Sequence, residues 1–108
     1  MAIDAGDVVL VPFPYRDRQG ERTRPAVVVS AQSYDQRVDL VVVAVTSHPA
    51  RFSTDHELQD WHAAGLQHSS TVRMLIGTVS VKRVVKQIGR LSDRDWTEVR
   101  IRVTQVFA

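Results

Sequence analysis

The sequence predicts a mainly β protein, a small twisted barrel of short strands closed by one C-terminal α-helix. Three features lead there. Short valine-rich apolar runs recur at residues 8–11, 26–30 and 38–46, each bounded by proline, glycine or polar residues. A fourth β-rich stretch spans 71–75. After Ser92 the pattern changes to helical spacing and keeps it to the end.

The elements follow in order. Residues 8–11 form the first strand, and Pro12 and Pro14 then favour a sheet edge or a bend into a loop. A charged stretch, Tyr15 to Glu21, leads to a second strand at 26–30, with Arg24 and Pro25 at its entry. After the polar connection 32–37, residues 38–46 are almost wholly apolar and β-branched, which suits a central strand buried on both faces. Pro49 ends the chain's run after Ser47 and His48. Residues 55–58 suit a short strand, and 59–63 a single helical turn stopped by Gly65. Val81, Val84, Val85, Ile88 and Leu91 have helical spacing, but their β-branching and Gly89 favour a turn at 80–83 followed by a strand to Arg90. In the last segment Ser92 is a good N-cap, and Asp93 and Asp95 fall in the first turn, where the helix dipole favours acids. Trp96, Val99, Val103, Val106 and Phe107 form one apolar stripe, expected to pack as core through to the tail.

With 108 residues, 44% of them hydrophobic, residues 1–108 are expected to form a single domain with one modest core, and dimerisation would bury more surface. The formal net charge is only +2, so bulk charge argues weakly for a nucleic-acid partner. The kind of cation says more. Lys82 and Lys86 are the only lysines, and the rest are arginines, whose planar fork matches phosphate oxygens. Cysteine is absent, which excludes disulfides, thiol catalysis and Cys-based zinc sites. The spacing of His48, His56, His62 and His68 matches no zinc motif. The start carries no basic segment followed by a long apolar one, and the longest apolar run is too short for a bilayer, so a cytoplasmic protein is expected.

Two constellations could carry chemistry. Arg24 precedes Pro25, which restricts its backbone, so its guanidinium leaves the strand at a fixed angle. With Arg18 and Arg22 it could clamp a phosphate; equally, these arginines could pair with Asp17 and Glu21 in a solvated loop. Thr46, Ser47 and His48 leave the most apolar strand together. Hydroxyls there can donate to a developing oxyanion and an imidazole can move protons, or the trio can be an ordinary Ser/Thr turn before Pro49. If adjacent strands bring Arg24 and Thr46 to one rim, a bound phosphate would meet a fixed cation and a fixed hydroxyl. Trp61 could stack on a base, but more readily covers the core or a dimer interface.

Several segments together resemble the MazF/PemK family of toxin endoribonucleases over nearly the whole chain. They are Gly6-Asp7-Val8-Val9, Arg24-Pro25-Ala26-Val27-Val28-Val29-Ser30, Val43-Ala44-Val45-Thr46-Ser47, Gly65-Leu66, Ser70-Thr71-Val72-Arg73 and Ile88-Gly89-Arg90-Leu91-Ser92. The resemblance implies an SH3-like barrel in a homodimer, with no cofactor. It implies metal-independent cleavage of single-stranded RNA, leaving 2′,3′-cyclic phosphate and 5′-hydroxyl ends, and a small antitoxin as partner. By the same resemblance Arg24 and Thr46 stand at the family's catalytic arginine and threonine, and Glu21 at an acid ahead of the arginine. Glu21 is closer to Arg24 than that acid is in well-known members, so the intervening loop differs, and with it the RNA sequence cut. Arg18, Arg22, Ser47 and His48 are the expected RNA contacts. The competing expectation is a non-enzymatic module on the same barrel. It could resemble the related gyrase poisons, which act through the C-terminal helix, or be an inactive homologue that only binds an antitoxin.

Overall fold

The computed structural model describes residues 3–14, 22–31 and 39–108. The first strand, β1, spans Asp7–Phe13, β2 Arg22–Val28 and β3 Asp39–Thr46. Two-residue β4, His56–Glu57, precedes the long β5, Thr71–Ser80; a 3-10 turn at Val81–Arg83 then leads into β6, Lys86–Arg90. The helix α1 covers Asp93–Val106. The described strands form one sheet in the order β4-β5-β3-β2-β1-β6, with antiparallel pairs throughout. The sheet curls enough that β1 and β5, which are not neighbours in it, touch.

The apolar runs are continuous because the sheet is covered on both faces. Val9, Val11, Phe13, Ala26, Val28, Leu40, Val42, Ala44 and Val79 pack together on one face with Ile3. Val8, Val27, Val43, Val45 and Val72 point the other way, against Leu58, Ala64, Leu66, Leu91 and Val99 of α1. β3 lies between β2 and β5, the central position expected of it. Each fully buried valine or leucine contributes about 1.5–3 kcal/mol, and Leu40, Val42 and Val43 are completely covered.

Both strand prolines sit where the ladder can spare a donor. The Leu10 carbonyl accepts from the Val85 N–H on the β6 side. Pro12, two residues on, presents its nitrogen on that same side, beyond the last β1–β6 pair at Leu10 and Lys86. Pro12 is therefore inside β1, opposite Thr23, where one edge of the strand has become free. Pro25 acts similarly in β2. The β2–β3 ladder stops at Ala26–Ala44, so the two strands part where Pro25 begins.

Three expectations are revised. β5 runs to Ser80 rather than Leu75, because a register shift between Val43 and Ala44 absorbs Met74 and Leu75 and lets pairing resume at Ile76. β2 starts at Arg22 and includes the arginine–proline pair. The tail is not core in the protomer: Val103 is partly covered, but Val106 is 42% and Phe107 60% exposed, since the apolar stripe continues beyond the cover that the sheet provides. The turn at 80–83, the strand after it and the Ser92 cap stand as expected, with Ser92 Oγ accepting from Asp95 N–H at 3.3 Å. No helix among the described residues is long and apolar enough to cross a membrane.

Candidate active site

Where β2 and β3 separate, a cavity of about 630 Å³ opens. Its walls come from four parts of the chain. β2 supplies Arg24 and Pro25; the end of β3 and its exit supply Val45, Thr46, Ser47 and His48; residues 65–70 supply Gly65, Leu66, Gln67, His68 and Ser70; β1 and β6 supply Leu10, Lys86 and Ile88. The structure thus brings Arg24, Thr46, Ser47 and His48 to one place. Arg22 is exposed on β2 opposite Phe13 and is not part of the lining. Arg18 and Glu21 lie outside the described residues.

The wall formed by residues 65–70 has a specific origin. After one turn from Asp60, the Leu66 N–H donates to Trp61 O and the Gly65 N–H to His62 O, a helix-ending pair of bonds that places Gly65 at φ +87°. Gly65 and Gly89 then meet backbone to backbone. A Cβ on Gly65 would fall 2.0 Å from the Ile88 carbonyl oxygen, and one on Gly89 2.0 Å from that of Ala64. Only glycine at both positions lets this turn lie flat on β6 and hold Leu66 to Ser70 at the cavity. Trp61 is half-buried against the helix-side core, with its ring edge-on to His62, so it acts as cover.

The opposite wall is held by small polar bonds. Thr46 Oγ1 accepts from the His48 N–H at 3.2 Å. This bond uses an acceptor position of the hydroxyl and not its one donor. Glu57 accepts from Ala50 N–H at 2.9 Å, and Asp55 from Arg51 and Phe52, fixing the chain just after His48. Burial works against the charge on Asp55, but these two backbone bonds and the Arg73 guanidinium prevail and hold its carboxyl below the usual range.

The lining is electrostatically one-sided. Arg24 and Lys86 are cations, His48 and His68 can become so, and no described carboxylate lines the cavity. The acids of the neighbouring structure are engaged elsewhere: Asp7 with Arg90 at 2.9 Å, Asp60 with Arg94 at 2.7 Å, and Asp95 with His56 at 2.9 Å. Such a cavity suits an anion, and the arginine fork suits phosphate. Sequence reasoning missed Gln67, Ser70 and Lys86 and set His68 aside. The pairing of Thr46 with Thr71, which carries residues 68–70 alongside the end of β3, was not legible from spacing.

A small curled β-barrel with a cationic, hydroxyl-bearing rim has the chemistry that suits a phosphate ester. The family model for PemK-like, MazF-like toxins of type II toxin–antitoxin systems matches residues 4–107, and the chain belongs to that family of endoribonucleases. Solved structures agree on the fold. An endoribonuclease in complex with its cognate antitoxin, from a mycobacterial species, superposes with a TM-score of 0.78 at 14% identity, covering 96% of this chain and 93% of that one. A MazE–MazF structure from Deinococcus radiodurans gives 0.77 at 20% identity, covering 98% and 96%. Toxin MazF-mt6 of Mycobacterium tuberculosis gives 0.76 at 16% identity, covering 94% and 95%. No curated protein matches the sequence significantly.

Proposed function

We propose that the protein cleaves single-stranded mRNA at the cavity between β2 and β3, as the toxin of a toxin–antitoxin pair, in the cytoplasm and as a homodimer. One observation carries the assignment of the site: Arg24 and Thr46 line a single cavity at the point where Pro25 parts their strands. The ribose supplies the nucleophile, its 2′-hydroxyl, which attacks the adjacent phosphorus. The 2′-O–P bond forms, the P–O5′ bond breaks, and the ends are a 2′,3′-cyclic phosphate and a 5′-hydroxyl. Because the attacking group belongs to the substrate, no metal-bound water is needed.

Charge builds on the non-bridging oxygens of the phosphorane. Arg24 stabilises it as a fixed cation rather than as a proton carrier, since guanidinium keeps its proton. Thr46 donates its hydroxyl to the same oxygens, and Lys86 adds a second positive charge from the β6 side. Ser47 and His48 contact the phosphate or ribose. Arg22, exposed on β2, is a further RNA contact, and the sequence resemblance adds Arg18 as a phosphate contact and Glu21 as the acid ahead of Arg24. The antitoxin acts by covering this groove.

The test is incubation of the purified protein with mixed-sequence RNA in the presence of EDTA, beside Arg24→Ala and Thr46→Ala. Cleavage by the wild type and its loss in Arg24→Ala are expected; equal cleavage by Arg24→Ala contradicts the assignment. A second reading, a non-catalytic module acting through its C-terminal helix, draws support from the exposed Ile101, Val106 and Phe107. It predicts an inert wild type in the same assay and toxicity that depends on those tail residues.

A further inference from the structure

The cavity contains a second imidazole that the chemistry so far leaves idle. His68 lines it together with His48, and both are exposed. The sheet accounts for their meeting. Thr46 and Thr71 form the last rung of the β3–β5 ladder, so the chain leaving through Ser47 and His48 runs beside the chain arriving through His68 and Ser70. A hydroxyl anchors each backbone: Thr46 Oγ1 accepts from His48 N–H at 3.2 Å, and Ser70 Oγ donates to His68 O at 2.6 Å. Ser70 O in turn accepts from Leu58 N–H at 2.9 Å. Both histidines therefore stand on anchored backbone, on neighbouring segments that line one cavity.

We propose that His48 and His68 divide the two proton transfers of RNA cleavage, one imidazole as general base and the other as general acid. The proposal rests on the endoribonuclease reading of this cavity and adds the proton carriers to it. The base takes the 2′-hydroxyl proton as the 2′-O–P bond forms. The acid delivers a proton to O5′ as the P–O5′ bond breaks. Each turnover leaves the base protonated and the acid neutral, and exchange with water resets both.

The surroundings fit this division. The charged groups that line the cavity with the two imidazoles, among the described residues, are Arg24 from β2 and Lys86 from β6, and the nearby Glu57 carboxylate is held by Ala50 N–H at 2.9 Å, two residues after His48. Guanidinium and ammonium groups ordinarily hold their protons near neutral pH, whereas imidazole as a side-chain type exchanges its proton there. Arg24 and Lys86 thus set the phosphate, and the histidines set the protons.

The experiment measures kcat/KM against pH for the wild type, His48→Gln, His68→Gln and Arg24→Ala, with His62→Gln as a control on an exposed histidine outside the cavity. The wild type should give a bell-shaped profile. Each of the two cavity variants should lose about 100-fold or more in rate and one limb of the bell. An RNA with sulfur in place of O5′ at the cleaved linkage has a leaving group that needs no acid, and it should restore one of the two variants and not the other. Circular dichroism melting should be unchanged in both, and His62→Gln should match the wild type. A His68→Gln variant with wild-type rate and both limbs, or sulfur restoring neither or both variants, overturns the division. If that happens while Arg24→Ala remains inactive, the nuclease reading stands without it; a wild type that cleaves nothing removes both.

Discussion

At the N-terminus of α1, Asp95 is 1% exposed and fully engaged: it accepts from Gln59 N–H at 3.0 Å and Asp60 N–H at 2.8 Å, and shares a 2.9 Å hydrogen bond with His56 Nε2. Ser92 Oγ donates to Asp60 at 2.6 Å, and Arg94 clasps the same carboxylate through two bonds of 2.7 Å. At the cavity, no described carboxylate lines the wall with Arg24, Lys86, His48 and His68. The same residue types are saturated in one region and left open in the other. In the first, polar groups fasten the helix, β4 and the turn after it to one another. In the second, the polar groups are the ones proposed to meet RNA.

The largest effect expected is on catalysis. Arg24→Ala should lower RNA cleavage by about 1,000-fold, the upper range for removing one oxyanion donor, with an unchanged urea midpoint. A drop in stability there would show that Arg24 belongs with the structural set. Asp95→Ala reverses the pattern. It strands His56 and two backbone N–H groups in a buried site, which should destabilise the fold by about 3–5 kcal/mol in urea titrations, while the folded fraction still cleaves RNA. Ser92→Ala removes a helix cap and should cost about 1 kcal/mol by the same measurement.

Acid should weaken the fastened region in a definite direction. Burial opposes ionisation of Asp95, but the hydrogen bonds from Gln59, His56 and Asp60 outweigh it and hold its carboxyl below the usual range. Asp60 is held well below that range by its hydrogen bonds from Arg94 and Ser92. Their contribution is complete above the unfolded-chain value of about 4 and disappears as pH falls through the lower folded-state values. Urea midpoints should therefore decline below about pH 4, and Asp95→Asn should flatten the decline. An unchanged slope in that variant would assign the acid sensitivity to other groups.

The same contrast explains what the sequence could reveal. β3 was legible because an uninterrupted β-branched run has few other uses, and α1 because Ser92, Asp93 and Asp95 signal a helix start without help from packing. Arg24 and Thr46 stood out as chemistry at strand ends. The far wall of the cavity did not. Residues 65–70 reach it through a glycine–glycine contact between Gly65 and Gly89, separated by a long stretch of chain, and through the Thr46–Thr71 register. Neither leaves a periodic trace. The helix tail was misjudged for a related reason: Val106 and Phe107 continue the stripe, but periodicity does not say where the opposing sheet ends.

The most direct measurement is the chemistry of the cut ends. RNA cleaved by the wild-type protein in EDTA should carry a 2′,3′-cyclic phosphate on the upstream fragment and a 5′-hydroxyl on the downstream one, and a single 2′-deoxy substitution at the cleaved nucleotide should abolish the cut. A 3′-hydroxyl with a 5′-phosphate, or undiminished cleavage of the deoxy-substituted strand, would mean that water rather than the ribose attacks, and would contradict the account.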